Sequence, residues 1–97
     1  MAAYLIGEVQ ILDPQLYQEY ARGVPATIAQ YGGRYLVRGG AVDAKEGEWN
    51  PQRLVVLEFP SLEQAQRWYA SPEYAPLLAI RRQAAKSKIL MVDGYAG

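Results

Sequence analysis

The stretch Arg53-Leu54-Val55-Val56-Leu57-Glu58-Phe59-Pro60-Ser61-Leu62-Glu63-Gln64 decides the fold. Arg53 to Phe59 reads as a strand. Its Val55, Leu57 and Phe59 point one way, and Leu54, Val56 and Glu58 point the other. Pro60 stops the strand, because proline has no N–H to give to a ladder. Ser61 and Gln64 then form a Ser-x-x-Gln capping box, which satisfies backbone N–H groups at a helix start. Leu62, Ala65, Trp68 and Tyr69 mark the inner side of that helix. A strand that is apolar on both faces thus runs straight into an amphipathic helix.

Working backward, residues 41–52 carry Asp43, Lys45, Glu46, Gly47, Glu48, Asn50 and Pro51 and form a polar connection between two strands, with Trp49 the exception. Arg34 to Arg38 is the strand before them, closed by Gly39-Gly40. A further strand spans Tyr4 to Ile11. Leu5, Val9 and Ile11 lie on one of its faces with Gly7 between them, and Tyr4, Ile6, Glu8 and Gln10 on the other. Asp13 is a helix N-cap and Pro14 the first helical residue, where its missing N–H costs nothing. Leu16, Tyr17, Tyr20, Ala21, Val24, Ile28 and Tyr31 follow at helical spacing. Gly23 and Pro25 predict a kink or a break in that helix. Gly32-Gly33 predicts a left-handed end. Downstream, Ser71-Pro72 predicts a new helix with Ser71 as cap and Pro72 in its first position. Leu77, Leu78, Ile80, Ala84 and Ala85 continue it, and Lys88 to Asp93 is the last strand. The order strand, helix, strand, strand, helix, strand is the α+β ferredoxin-like βαββαβ arrangement. It has a four-stranded antiparallel sheet with helices on one face.

Ninety-seven residues suit one domain, 1–97. The chain has no Cys and no His. That excludes disulfides, iron–sulfur clusters, thiolate zinc sites, imidazole metal or haem ligands and His-based nucleophilic relays. We expect no metal and no cofactor. Ten basic and ten acidic side chains balance to a net charge of zero, without a basic run. Nucleic-acid binding, which depends on phosphate neutralisation, is not expected. No stretch of about 18 apolar residues is present, so no membrane span is expected. Met1-Ala2-Ala3-Tyr4 does not read as a signal peptide, and a cytoplasmic location is the expectation.

Both sheet faces carry large apolar groups. Ile89 and Met91 of the last strand alternate with Leu90 and Val92, as Val55 and Leu57 alternate with Leu54 and Val56. A sheet with one solvated face shows cleaner alternation. A second copy packing sheet to sheet would cover the excess, so a homodimer is expected.

Three segments are recognisable together: Gly32-Gly33-Arg34-Tyr35-Leu36-Val37-Arg38-Gly39-Gly40, Glu58-Phe59-Pro60-Ser61, and Trp68-Tyr69-Ala70-Ser71-Pro72-Glu73-Tyr74 with Arg81 downstream. In them, and over nearly its whole length, the chain resembles the bacterial domain-of-unknown-function family thirteen-thirty. The resemblance implies the dimeric α+β-barrel form of the ferredoxin-like fold, in which two sheets face each other. It implies no activity. That family often has Asn where this chain has Ala70, which weakens any role for an amide there.

Two segments are candidates for chemistry. Gly32 to Gly40 brackets Arg34, Tyr35 and Arg38 with glycines, and backbone N–H groups with guanidinium groups can hold an anion. The spacing is neither a phosphate loop nor a dinucleotide fingerprint. The same glycines also read simply as a helix end and a turn. Strand alternation predicts that Arg38 and Leu36 face opposite to Tyr35 and Val37, and Arg38 is the ligand-binding candidate. In Trp68 to Arg81, a helix start at Ser71 would suit a carboxylate. Trp68, Tyr69 and Tyr74, joined by Tyr17 and Tyr20, would wall a pocket or simply fill the core. Arg81 or Arg82 would turn inward to pair with Glu58 or Glu73. Without His, acid–base work falls to Glu58 and Tyr74, with Arg38 and Arg81 as electrostatic clamps. The reading is a small-molecule-binding protein for an anionic or aromatic metabolite, with cofactor-independent catalysis as one form of it. A non-catalytic dimeric binding or assembly module is the alternative.

Overall fold

A computed structural model describes residues 1–96. The elements are β1 (Ala3–Ile11), α1 (Pro14–Gln30), β2 (Arg34–Arg38), β3 (Arg53–Phe59), α2 (Leu62–Tyr69), α3 (Ala75–Ala84) and β4 (Ala85–Asp93). The four strands form one antiparallel sheet in the order β2-β3-β1-β4. The fold is the ferredoxin-like α+β arrangement.

Local chemistry explains most boundaries. Asp13 accepts from the Leu16 N–H at 3.1 Å and Ser61 from the Gln64 N–H at 3.1 Å, so two of the three expected N-caps form. At the end of α1, Gly32 sits at φ 79 and its N–H donates to the Ala29 carbonyl, while the Gly33 N–H donates to the Ile28 carbonyl. That pair of bonds is the Schellman cap.

Three expectations are corrected. First, of the kink or break expected in α1, the break is not made: the helix runs continuously through Pro25. Pro25 has no N–H for the Ala21 carbonyl one turn back, and Arg38 Nη2 donates to that carbonyl instead at 2.8 Å. A side chain from another element thus supplies the bond that proline removes. Second, Ser71-Pro72 does not start a helix. Ser71 Oγ donates to the Trp68 carbonyl at 2.7 Å and accepts from the Tyr74 N–H at 3.1 Å. It spans a turn, and α3 begins only at Ala75, with Pro76 in its first turn. Glu73 pins the turn to the end of α1 by accepting from Tyr31 at 2.8 Å and from Gln30 at 3.1 Å. The Tyr31 hydrogen bond lowers the Glu73 carboxyl and raises the Tyr31 phenol. Third, β4 begins at Ala85, directly after α3.

The core lies between the sheet and the helices. Leu5, Val9, Leu57 and Phe59 of the sheet meet Tyr20, Val24, Ile28, Trp68 and Tyr74. The other sheet face has no helix over it. There Leu90 is 56% exposed, Leu36 45% and Val92 44%, beside the half-buried Ile6, Leu54 and Val56. No helix among the described residues is long and apolar enough to cross a membrane.

Candidate functional site

A cavity lies between the inner sheet face and the helices. Tyr17, Tyr20, Trp68, Tyr69 and Tyr74 wall it, and Arg38, Arg53 and Arg81 also border it. Its volume is about 30 Å³, against about 300–1,000 Å³ for an ordinary ligand pocket. Gly7 borders it in the middle of β1 and makes room there for the Ile89 side chain. A Cβ there would stand 2.9 Å from Ile89 Cδ1.

The polar end of the cavity is a chain of hydroxyls on a guanidinium. Tyr20 Oη and Tyr74 Oη are 2.7 Å apart. Arg81 Nε lies 3.4 Å from Tyr74 Oη, and Arg81 Nη2 lies 3.5 Å from Tyr69 Oη. The Arg81 side chain is buried, yet among the described residues it makes no salt bridge. Burial opposes its charge, and the Tyr74, Tyr20 and Tyr69 oxygens more than offset that. The expected pairing of Arg81 with Glu58 or Glu73 is not made: Glu58 pairs with Arg34 at 2.8 Å, and Glu73 binds Tyr31 and Gln30.

The aromatic walls interlock. The Trp68 and Tyr74 ring centroids are 4.1 Å apart, and Phe59 stacks behind Trp68 at 5.5 Å. Trp68 Nε1 donates to Thr27 Oγ1 at 3.0 Å, and Thr27 donates to the Val24 carbonyl. This fixes the indole against α1.

The mouth differs from expectation. A β-bulge at Leu36 and Val37 sets both residues against Val56, so Tyr35 opposes Leu57 and Arg38 opposes Val55. The extra residue reverses the alternation after it. Arg38 therefore shares the inner face with Tyr35, its guanidinium 4.6 Å from that ring centroid. Arg53, opposite Val9, faces the same way, with its guanidinium 5.7 Å from the Tyr17 ring centroid.

Arg38, Trp68, Tyr69, Arg81, Tyr17, Tyr20 and Tyr74 thus meet at one cavity. Ser71 does not line it; its hydroxyl is consumed by the turn. Glu58 lies on the other face of the sheet, bonded to Arg34, so Glu58 and Tyr74 do not meet. Arg53 was not among the expected site residues. It has the same parity as Val55, Leu57 and Phe59, which was the available signal. Among the described residues no three carboxylates gather as a metal site would require.

Burial pushes the Tyr20 phenol far above its ordinary value, with Tyr74 adding to the effect, and burial also raises Tyr35. The Tyr20 phenol therefore keeps its proton at neutral pH. Unfolding returns these phenols to about 10. Their contribution to stability is complete below about pH 10 and is lost as pH rises from there toward the folded-state values. Tyr20→Phe is expected to flatten the alkaline limb of urea midpoint plotted against pH. An unchanged limb would assign that loss to other groups.

A family model described as a domain of unknown function, DUF1330, matches residues 2–95. The chain belongs to the DUF1330 family. No curated protein matches this DUF1330 chain in sequence. A protein of unknown function from Rhodopseudomonas palustris is similar in structure, with a TM-score of 0.74 at 15% identity over 99% of this chain and 84% of that one. SnoaB, a cofactor-independent oxygenase from Streptomyces nogalater, is similar at a TM-score of 0.66 and 12% identity, over 99% of this chain and 95% of that one. An antibiotic biosynthesis monooxygenase is similar at 0.59 and 13% identity, over 98% and 99% of the two chains. At these identities the likeness shows that this DUF1330 protein shares their fold, and no more.

Proposed function

We propose that this protein is a homodimer whose protomers each hold a small anionic or aromatic metabolite between sheet and helices. The observation that carries the reading is Arg81, a buried guanidinium without a carboxylate, set among tyrosine hydroxyls at the end of an aromatic cavity. A buried charge needs a partner, and an oxygen of a bound ligand would supply one. In the free protein the cavity has room for little more than water. Entry of a larger molecule means turning Arg38, Arg53 and Tyr35 outward from the mouth.

Within the site, Tyr20 and Tyr74 bond each other and have one hydroxyl proton left to donate to and orient a ligand oxygen, and Arg81 balances its negative charge. Trp68, Tyr69 and Tyr17 hold its flat body. Such a set favours reactions through a stabilised oxyanion without a cofactor. The fold shared with SnoaB, a cofactor-independent oxygenase by name, supports that form of the reading. Dimerisation rests on the uncovered apolar sheet face, which a second copy would bury about a two-fold axis.

Native mass spectrometry of protein purified without refolding tests both parts. We expect a species of twice 10.8 kDa carrying additional small-molecule mass that mild unfolding releases. Leu90→Glu, at a position already 56% exposed in the protomer, is expected to give folded monomers. A wild-type monomer at micromolar concentration removes the dimer, and an unliganded species that binds no aromatic or anionic probe removes the site.

A further inference from the structure

The arginines at the mouth narrow the ligand class, and this step rests on the reading of the cavity given above. Arg38, Arg53 and Arg81 border the cavity, while among the described residues no carboxylate does. Nearby acids are engaged elsewhere: Glu58 with Arg34, Glu73 with Tyr31 and Glu8 with Trp49. Arg38 opposes Val55, and Arg53 stands two residues before Val55 on the same face. The two are diagonal neighbours across β2 and β3, and like charges so placed repel. Arg38 uses one donor on the Ala21 carbonyl and keeps the rest of its fork. Arg53 Nε is buried and has no hydrogen-bond partner. The chain also makes room for the Arg53 head: Gly39 sits at φ 72, and a Cβ there would collide with Arg53 Nη1.

A pair of planar guanidinium forks with spare donors, no acid and an aromatic cleft behind them matches a planar anion. We infer that Arg53 and Arg38 form a carboxylate clamp at the cavity mouth, and that the ligand is a small planar carboxylate whose apolar body enters toward Trp68 and Tyr74. The carboxylate takes bidentate bonds and ends the repulsion between the two arginines. Arg81 and the tyrosine hydroxyls, deeper in, are left for a second oxygen on the body.

Benzoate and benzamide, alike in shape and different in charge, test this by NMR titration followed at the Trp68 indole N–H. Benzoate is expected to bind at least about tenfold more tightly than benzamide, the effect of charge-assisted bonds. Its affinity should fall as NaCl rises, while that of benzamide should not. Arg53→Met should bring benzoate down to the benzamide level and leave benzamide unchanged. Arg53→Lys should fall between, since it keeps the charge and loses the fork. Melting curves establish that each variant is folded, and the salt series on wild-type protein needs no variant. Equal affinities without salt dependence, or equal losses of both ligands in a folded Arg53→Met, overturn the clamp and leave the cavity as a ligand site. Binding of neither compound also overturns the clamp; the cavity reading falls with it only if native mass spectrometry finds no ligand either.

Discussion

Trp68→Ala is expected to lower the unfolding free energy by about 3–5 kcal/mol, the range for deleting a buried large aromatic. Domains of this kind have about 5–15 kcal/mol in total, so the variant should approach the limit of folding. The indole is 1% exposed and joins four parts of the fold. It stacks on Phe59 of β3, lies 4.1 Å from the Tyr74 ring in the turn before α3, meets Tyr69 at the end of α2, and hydrogen-bonds Thr27 on α1. Its loss enlarges a cavity that already exists, and the rigid walls collapse little. Urea denaturation measures the cost, and the melting temperature should fall by more than about 12 °C. Trp68→Phe keeps one six-membered ring and removes the pyrrole half with its bond to Thr27, so a loss clearly smaller than that of Trp68→Ala is expected. Equal losses in the two variants would place the energy in the pyrrole half and its N–H bond and not in the six-membered ring.

The parts legible in the sequence are those fixed by neighbouring residues. Asp13-Pro14, Ser61 and Gly32-Gly33 each dictate a helix boundary through bonds closed within a few residues, and each boundary forms where it is read. The inner set Leu5, Val9, Leu57 and Phe59 follows from alternation alone. The misreadings share a different cause, a partner distant in the chain. Pro25 does not break α1, because Arg38 bonds the carbonyl that proline leaves bare. Arg38 reaches it only because the bulge at Leu36 and Val37 turns it inward, and a bulge is a property of the β2–β3 pair and not of β2 by itself. Ser71 carries the signature of a cap, yet its hydroxyl serves a turn, since Glu73 is drawn to Tyr31 at the far end of α1. The aromatic residues of the cavity were legible as a group. That they enclose a cavity, and that Arg81 reaches it without an acid, depends on how the helices and α3 pack on the sheet, which no local pattern encodes.

Arg81→Met is expected to leave stability unchanged or raise it by about 1–4 kcal/mol, the outcome when buried ionic groups give way to apolar ones of similar volume. The wild-type guanidinium is 6% exposed and faces only hydroxyls, at 3.4 and 3.5 Å, near the outer limit of a hydrogen bond. Those contacts are long, and none of them is to a carboxylate. Methionine fills much of the same stem volume and demands no partner, and Tyr20 and Tyr74 still bond each other at 2.7 Å. The same substitution removes the charge that would meet a ligand oxygen at the inner end of the cavity. Retention of small-molecule mass in native mass spectrometry should therefore be lost from a protein that unfolds at the same or higher urea concentration. Gain of stability with loss of binding is what a charge kept for a ligand predicts. A structural charge predicts the reverse: Arg81→Met would lose about 3 kcal/mol or more, as when one member of a buried pair is removed, and would still carry its ligand. Arg81→Ala separates packing from charge, because it opens a void and should destabilise whichever role is true.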